Sequence, residues 1–269
     1  VIRRFLIGLL ALYALLTLYT VASLGLGIRP SSLLTPLTTL VGFSFAVLHA
    51  WNREGGSRAL RLVGSVVLVS LLFESIGVAT GWIYGPYHYT GKLGPLILGL
   101  VPAWIPAAWF MMSYPSFVIA DRLIPPWGRR GVRILEVAAI GALAMTAWDL
   151  VMDHFMVSAG YWVWDVQGPF FGIPLQNFWG WWLTVFTSLA LYLLLAGSGR
   201  RAGKASLDRL ALGSYWVTAL GITALSLISR ADALALIGVF AMLPWCIAAW
   251  PDYGTSEIDR GGPSGPPRR

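Results

Sequence analysis

Residues Ile134–Phe155 read ILEVAAIGALAMTAWDLVMDHF. Between Glu136 and Asp149 the run carries no charge, and its length meets the about 20 residues needed to cross a bilayer core. Its far end then carries Asp149, Asp153 and His154. Ionisable side chains in hydrocarbon are costly, so a membrane helix that keeps them pairs them or uses them. The stretch therefore points to a membrane protein whose chemistry sits inside a helix.

Seven further apolar runs surround it: Phe5–Gly25, Leu33–Trp51, Leu62–Gly81, Leu96–Ala120, Asn177–Leu195, Leu210–Ser229 and Ala233–Trp250. The reading is an all-α polytopic membrane bundle of about eight transmembrane helices. The chain is 57% hydrophobic and 12% charged, more apolar than a soluble domain can hide. Its 14 tryptophans and 30 glycines suit spanning helices with aromatic belts. The first run follows Arg3 and Arg4; it is longer than a signal-peptide core and no clean cleavage site follows, so it reads as a retained anchor. Residues 1–250 form one transmembrane domain. Residues 251–269 end in GGPSGPPRR, a polar Pro/Gly-rich composition expected of a disordered tail.

A net charge of +7 raises nucleic acid as a partner. The cations instead lie in short loops between apolar runs and form no groove-like patch, so nucleic acid is rejected. All but Arg29, Lys92 and Arg230 of the 19 Lys and Arg residues fall on one side of the bundle. Positive loops mark the cytoplasmic face. The expectation is a multi-pass protein of the cell membrane with both termini cytoplasmic. The single cysteine, Cys246, excludes an internal disulfide.

The runs on either side of two outer loops look alike. One offset of 79 residues relates Glu74 to Asp153, Gly81 to Gly160, and Pro95-Leu96 to Pro174-Leu175. A parallel helical-hairpin repeat of spans three–four and five–six, about an axis along the membrane normal, would produce it. Glu74 and Asp153 would then face one shared cavity.

Asp149 and Asp153 stand at i and i+4 and share a helix face, whereas His154 points about 100° away. Glu74 lies at the same depth. Crowded carboxylates in a low dielectric cannot all ionise, so this cluster can hold or move a proton. The alternative is that each acid is locked by an arginine or a backbone donor, but no Arg or Lys lies in the outer half of any span. Glu136, near the other end of its span, is read as snorkelling to the interface. His49 is read as a boundary residue, and His88 as a loop residue for which packing and catalysis weigh equally. Three histidines on separate segments support neither haem nor metal.

The outer loops GWIYGPYHYTGKLG (81–94) and GYWVWDVQGPFFGIPLQNFWGWW (160–182) are dense in aromatic rings. An interfacial belt accounts for many of them. Others, Tyr84, Tyr87, Trp162 and Trp164, suit a pocket wall that stabilises a cation, as does Trp148 in the fifth span. Pro102, Pro106 and Pro115 should break the fourth span, and such breaks survive in lipid only where neighbours or a cavity satisfy the backbone.

Several of these segments resemble the membrane-bound carotenoid biosynthesis family that contains the carotenoid 1,2-hydratases and bisanhydrobacterioruberin hydratases. The resemblance lies in Glu74, GWIYGPYHYT (81–90), VPAWIPAAWFMMSYP (101–115), WDLVMD (148–153), GYWVW (160–164) and FGIPLQNFWGW (171–181). It covers about half the chain, and the W-D-x-x-x-D and G-I-P-x-x-N patterns together carry its specificity. His154 departs from the family pattern, which has proline after the second aspartate, and leaves its part in a proton relay open. The resemblance implies a hydro-lyase that adds water to the terminal C1–C2 double bond of an acyclic carotenoid, lycopene-like or longer, to give a tertiary alcohol. Asp149 and Asp153 would be the acid/base pair and Glu74 their partner. Asn177 would hydrogen-bond the water or an acid, with His88 and the aromatic residues in support. No cofactor is required, and other enzymes of the pathway are expected partners. A proton-coupled transporter and a non-catalytic pigment-binding subunit remain alternatives. The first needs polar residues along the cytoplasmic half, which reads as nearly featureless apart from Glu136; the second does not need three acids.

Overall fold

The computed structural model describes residues 1–197 and 205–251. The expected tail from residue 252 onward, and the loop cations Arg200, Arg201 and Lys204, lie outside the described residues. Among the described residues eight helices follow one another: α1 (Ile2–Gly25), α2 (Leu34–Glu54), α3 (Gly56–Thr80), α4 (Ile105–Leu123), α5 (Arg130–Ser158), α6 (Leu175–Ala196), α7 (Ala205–Ile228) and α8 (Asp232–Ala249). Among the described residues, all of these but α4 are long and apolar enough to cross a membrane. The protein is an all-helical, multi-pass membrane bundle.

α5 is the hub. It packs on α4, α6 and α8, and α3 packs on α6. The share of its most apolar stretch that is buried is 61%, against 11% for α1, whose Leu12, Leu15 and Leu18 face outward as lipid-facing residues would. Between α3 and α4 lie three short strands, β1 (Tyr87–Tyr89), β2 (Leu96–Ile97) and β3 (Val101–Pro102); β4 (Trp162–Trp164) lies between α5 and α6. β2 and β3 pair with each other, while β1 pairs antiparallel with β4 across the loops.

The two hairpins related by the 79-residue offset meet in this arrangement. α3–β1–α4 and α5–β4–α6 pack with their equivalent helices exchanged, α3 on α6 and α5 on α4, around the β1–β4 ribbon. Gly81 and Gly160 end the matching helices α3 and α5 at φ 72° and 70°, a left-handed turn that glycine enters without strain. The offset of 79 does not extend further. Pro174 stands at the N-cap of α6, whereas Pro95 precedes the β2–β3 hairpin, an insertion that only the first half carries.

That hairpin also corrects the fourth span. Helix begins at Ile105 rather than Leu96, because Leu96–Pro102 folds back on itself. Pro102 is in strand, Pro106 sits in the first helical turn where a missing N–H costs nothing, and only Pro115 lies inside α4.

Candidate active site

The β1–β4 ribbon organises the acids. Its register sets Tyr87 opposite Trp164 and Tyr89 opposite Trp162. Alternate residues of a strand share a face, and directly opposed residues of an antiparallel pair share it too. All four rings therefore point toward the helices. Tyr87 and Tyr89 donate their hydroxyls to Oε2 of Glu74, the latter at 2.9 Å. Trp162 and Trp164 donate their indole N–H groups to the two oxygens of Asp153, at 2.6 and 3.1 Å. α4 and α6 each add a donor from near their N-terminal ends. Trp109 gives its N–H to Oε1 of Glu74 at 2.9 Å. Asn177 gives its amide to Asp149 at 2.8 Å and to Asp153 at 3.4 Å.

Two carboxylates are thus held in matching cages, each by two rings from the following strand and one group from the following helix. The donors are all neutral. Tyr87 and Tyr89 stay protonated to donate: burial first, and then the nearby Glu74 carboxylate, hold both phenols well above the ordinary tyrosine value. Asp149 differs from the other two acids. It is fully buried, and its Oδ1 has no hydrogen-bond partner.

Glu74, Asp153 and Asn177 line a cavity of about 240 Å³; Asp149 stands behind it. Trp109 and Trp181 stack at 4.1 Å on its wall, and Trp148 meets Trp181 edge-on at 5.9 Å. Tyr84, Tyr87, Trp162 and Trp164 line it as well. Tyr84 does not reach an acid; its hydroxyl meets Oγ1 of Thr184 at 2.8 Å. No arginine or lysine among the described residues lines the cavity. Among the described residues no cluster of three or more His, Cys, Asp and Glu is disposed to hold a metal.

Two expected site residues fall elsewhere. His88 is on the opposite face of β1, exposed, 2.8 Å from Asp165, because it alternates with Tyr87 and Tyr89. His154 packs edge-on against Phe155 and Phe171 and does not line the cavity; the 100° offset from Asp153 turns it away. Tyr89, Trp109 and Trp181 are site residues that the sequence reading did not assign. Alternation from Tyr87 would have found Tyr89 had the loop been read as a strand.

The opposite end of the bundle is not featureless either. Arg53 bonds Asp121 at 2.6 Å, Asp208 at 2.7 Å and Glu54 at 2.5 Å. Arg133 holds the other oxygen of Asp121, Arg122 reaches Asp208, and Arg58 and Tyr192 reach Glu54. His49, expected at the boundary, is fully buried. Its Nε2 faces the carbonyl of Leu207 at 2.7 Å and so must donate, which leaves Nδ1 to accept from the Tyr114 hydroxyl at 2.6 Å. Hydropathy counts these residues as loop charges and cannot see that they pair. Glu136 is exposed.

With the geometry in view, residues 34–244 match the family described as carotenoid biosynthesis protein. The chain belongs to this family. The matched region contains every residue of both acid cages, and membership supports a role in a carotenoid pathway. One relative is the bisanhydrobacterioruberin hydratase of Haloarcula japonica, 33% identical over 132 residues. The similarity takes in 48% of this chain and 42% of that protein, so the chain matches less than half of the relative's length. No solved structure matches the chain.

Proposed function

We propose that this family member is a carotenoid hydratase, adding water across the terminal C1–C2 double bond of an acyclic carotenoid end group to give a tertiary alcohol. The observation that carries the reading is the pair of caged carboxyl groups, Glu74 and Asp153, facing one aromatic-walled cavity with neutral donors only. An acid locked to an arginine stays ionised; one held by phenols, indoles and an amide can exchange a proton. Asp149 and Asp153, a helical turn apart and sharing the Asn177 amide, hold a proton between them.

The steps follow from that. A carboxylic acid at the cavity wall delivers its proton to C2, and the electron pair of the double bond forms the new C–H bond. The positive charge rests on C1, the more substituted carbon. The faces of Trp109, Trp181 and Trp148 and the remaining carboxylate stabilise it. A water oxygen bonds to C1 and its proton passes to a carboxylate, which restores the site. The cavity falls below the about 300 Å³ at which pockets begin to bury a drug-sized ligand. It therefore takes one end of a long polyene while the rest lies in the bilayer, where the substrate is dissolved. A transporter would need a path to both faces, and the arginine network occupies the other end of the bundle. The charge distribution of the loops supports cytoplasmic termini and an acid site toward the outer leaflet.

The test is purified protein in liposomes with an acyclic-ended carotenoid and no added cofactor. The expected product is heavier by one water, with its oxygen drawn from labelled solvent and deuterium from D2O on the carbon beside the carbinol. Oxygen taken from dioxygen, or carotenoid returned without label, rejects the assignment.

A further inference from the structure

The cavity has two unlike walls. Trp104, Ile105, Met111, Trp148, Met152 and Met156 make one side apolar. The other side is contributed by α1, α2 and α7 and carries hydroxyl groups, Tyr13, Thr17 and Thr20 from α1, Thr35, Thr38 and Thr39 from α2, and Thr218 from α7, set among Val21, Pro36, Gly221, Ile222 and Leu225. Spacings of four and three residues put each set on one helix face. Those faces turn inward, while Leu12, Leu15, Leu18, Leu37 and Leu40 on the same helices are exposed.

Most of the hydroxyl protons are already committed. Thr17, Thr20, Thr38 and Thr218 donate to carbonyls of their own helices, at 2.8–3.0 Å. With its proton spent on Ser214, Thr218 accepts from Tyr13 at 2.7 Å. Thr35 accepts from Tyr161 at 3.1 Å. The threonine oxygens of this wall therefore offer lone pairs and few protons. Those lone pairs recognise a small O–H donor, which a hydrocarbon cannot supply. Thr35 lies in the first turn of α2, at the end of the bundle that carries the acids, so the wall runs from the membrane boundary to the buried site.

Resting on the hydratase reading, we propose that this hydroxyl wall is the water-binding arm of the site, holding and supplying the molecule that attacks the cation. The apolar wall opposite holds the hydrocarbon. Removing hydroxyls should then starve the second half of the reaction and spare the first. The alkene would still be protonated, and the cation would return its proton to the carboxylate instead of gaining oxygen.

The T20V/T38V pair tests this; valine keeps the branched shape, and neither residue touches an acid. In D2O with liposome-embedded protein, the alcohol should form about tenfold more slowly, the scale of one or two lost hydrogen bonds. The carotenoid KM should not change, and deuterium should accumulate in recovered substrate relative to alcohol. T20S/T38S, which keeps the hydroxyls, should return both readouts to wild type. If the valine pair does not fold, Thr38→Val alone is read by the same deuterium ratio. An unchanged rate and ratio overturns the proposal, and so does a raised KM at constant kcat, which would make this wall the hydrocarbon site. If wild-type protein forms no alcohol and washes in no deuterium, the hydratase reading itself fails.

Discussion

Two buried acid clusters sit at opposite ends of one bundle and are dressed in opposite ways. At one end Glu54, Asp121 and Asp208 are held by Arg53, Arg58, Arg122 and Arg133. At the other, Glu74 and Asp153 accept from phenols, indoles and an amide. A guanidinium fixes its carboxylate as an anion and ties helices together, at a cost if either partner is removed. A neutral donor orients the carboxyl group and leaves its proton free to move. On the hydratase reading proposed above, the difference separates what holds this protein together from what it works with.

The largest effect should come from breaking the arginine cluster. Arg53 touches three acids on α2, α4 and α7, and its side chain is 7% exposed. Arg53→Ala leaves Asp121, Asp208 and Glu54 with Arg133, Arg122 and Arg58 respectively but breaks three buried ion pairs at once, and losing one partner of a buried pair costs about 3–5 kcal/mol. Thermal unfolding in detergent should show a large loss of stability, with little folded protein recovered. If Arg53→Ala melts like wild type, the network is not the structural clamp described here.

Next come the acids of the site. Asp153→Asn and Asp149→Asn should each lower turnover by about a hundredfold or more, the low end for losing general acid–base catalysis. Melting should fall far less than for Arg53→Ala. It should fall somewhat for Asp153→Asn, since an amide nitrogen would face an indole N–H that needs an acceptor. Full activity in both variants, measured as alcohol formed per folded protein, would falsify the role of this pair.

How far this contrast could be read in advance depended on range. Long apolar runs announce themselves, so the helices and the depth of Asp149, Asp153 and Glu74 were legible. The i, i+4 spacing and the shared glycines Gly81 and Gly160 were legible for the same local reason. The ribbon was not, because its three-residue strands lie in turn-rich loops and pair only across the fold, Tyr87 with Trp164. Without it, Tyr89 and Trp109 look like belt aromatics. The arginine cluster was hidden for a different reason: Arg53, Asp121 and Arg133 lie near helix ends, where a count of loop charges absorbs them. Pairing over such separations leaves no local mark.

The two cages themselves differ, and Glu74 sharpens the point. Counting back 79 residues from Asp149 reaches Ser70, so the first half of the repeat lacks the second acid. Glu74→Gln should therefore cost less than either aspartate change, about tenfold in turnover, the scale of one charge-assisted bond. Because Tyr87 and Tyr89 are held above the ordinary phenol range, the rate should not fall from their ionisation below about pH 10. A pH profile of turnover for wild type and Tyr87→Phe checks this. An alkaline limb near neutrality that vanishes in Tyr87→Phe would show the phenol losing its proton and contradict the cage.

The smallest effect belongs to Glu136, and it is the control on the whole comparison. It shares α5 with Asp149 and Asp153, so any change in expression or helix insertion caused by removing an acid from this helix should show in it too. It is exposed and sits thirteen residues before Asp149, about 20 Å away at 1.5 Å per residue. Neither cluster includes it. Glu136→Gln should leave turnover and melting within about twofold and 0.5 kcal/mol of wild type, as surface substitutions away from special features do. If turnover instead collapses with Glu136→Gln and survives Asp149→Asn and Asp153→Asn, the chemistry lies at the other end of α5. The ribbon cages would then be the structural element.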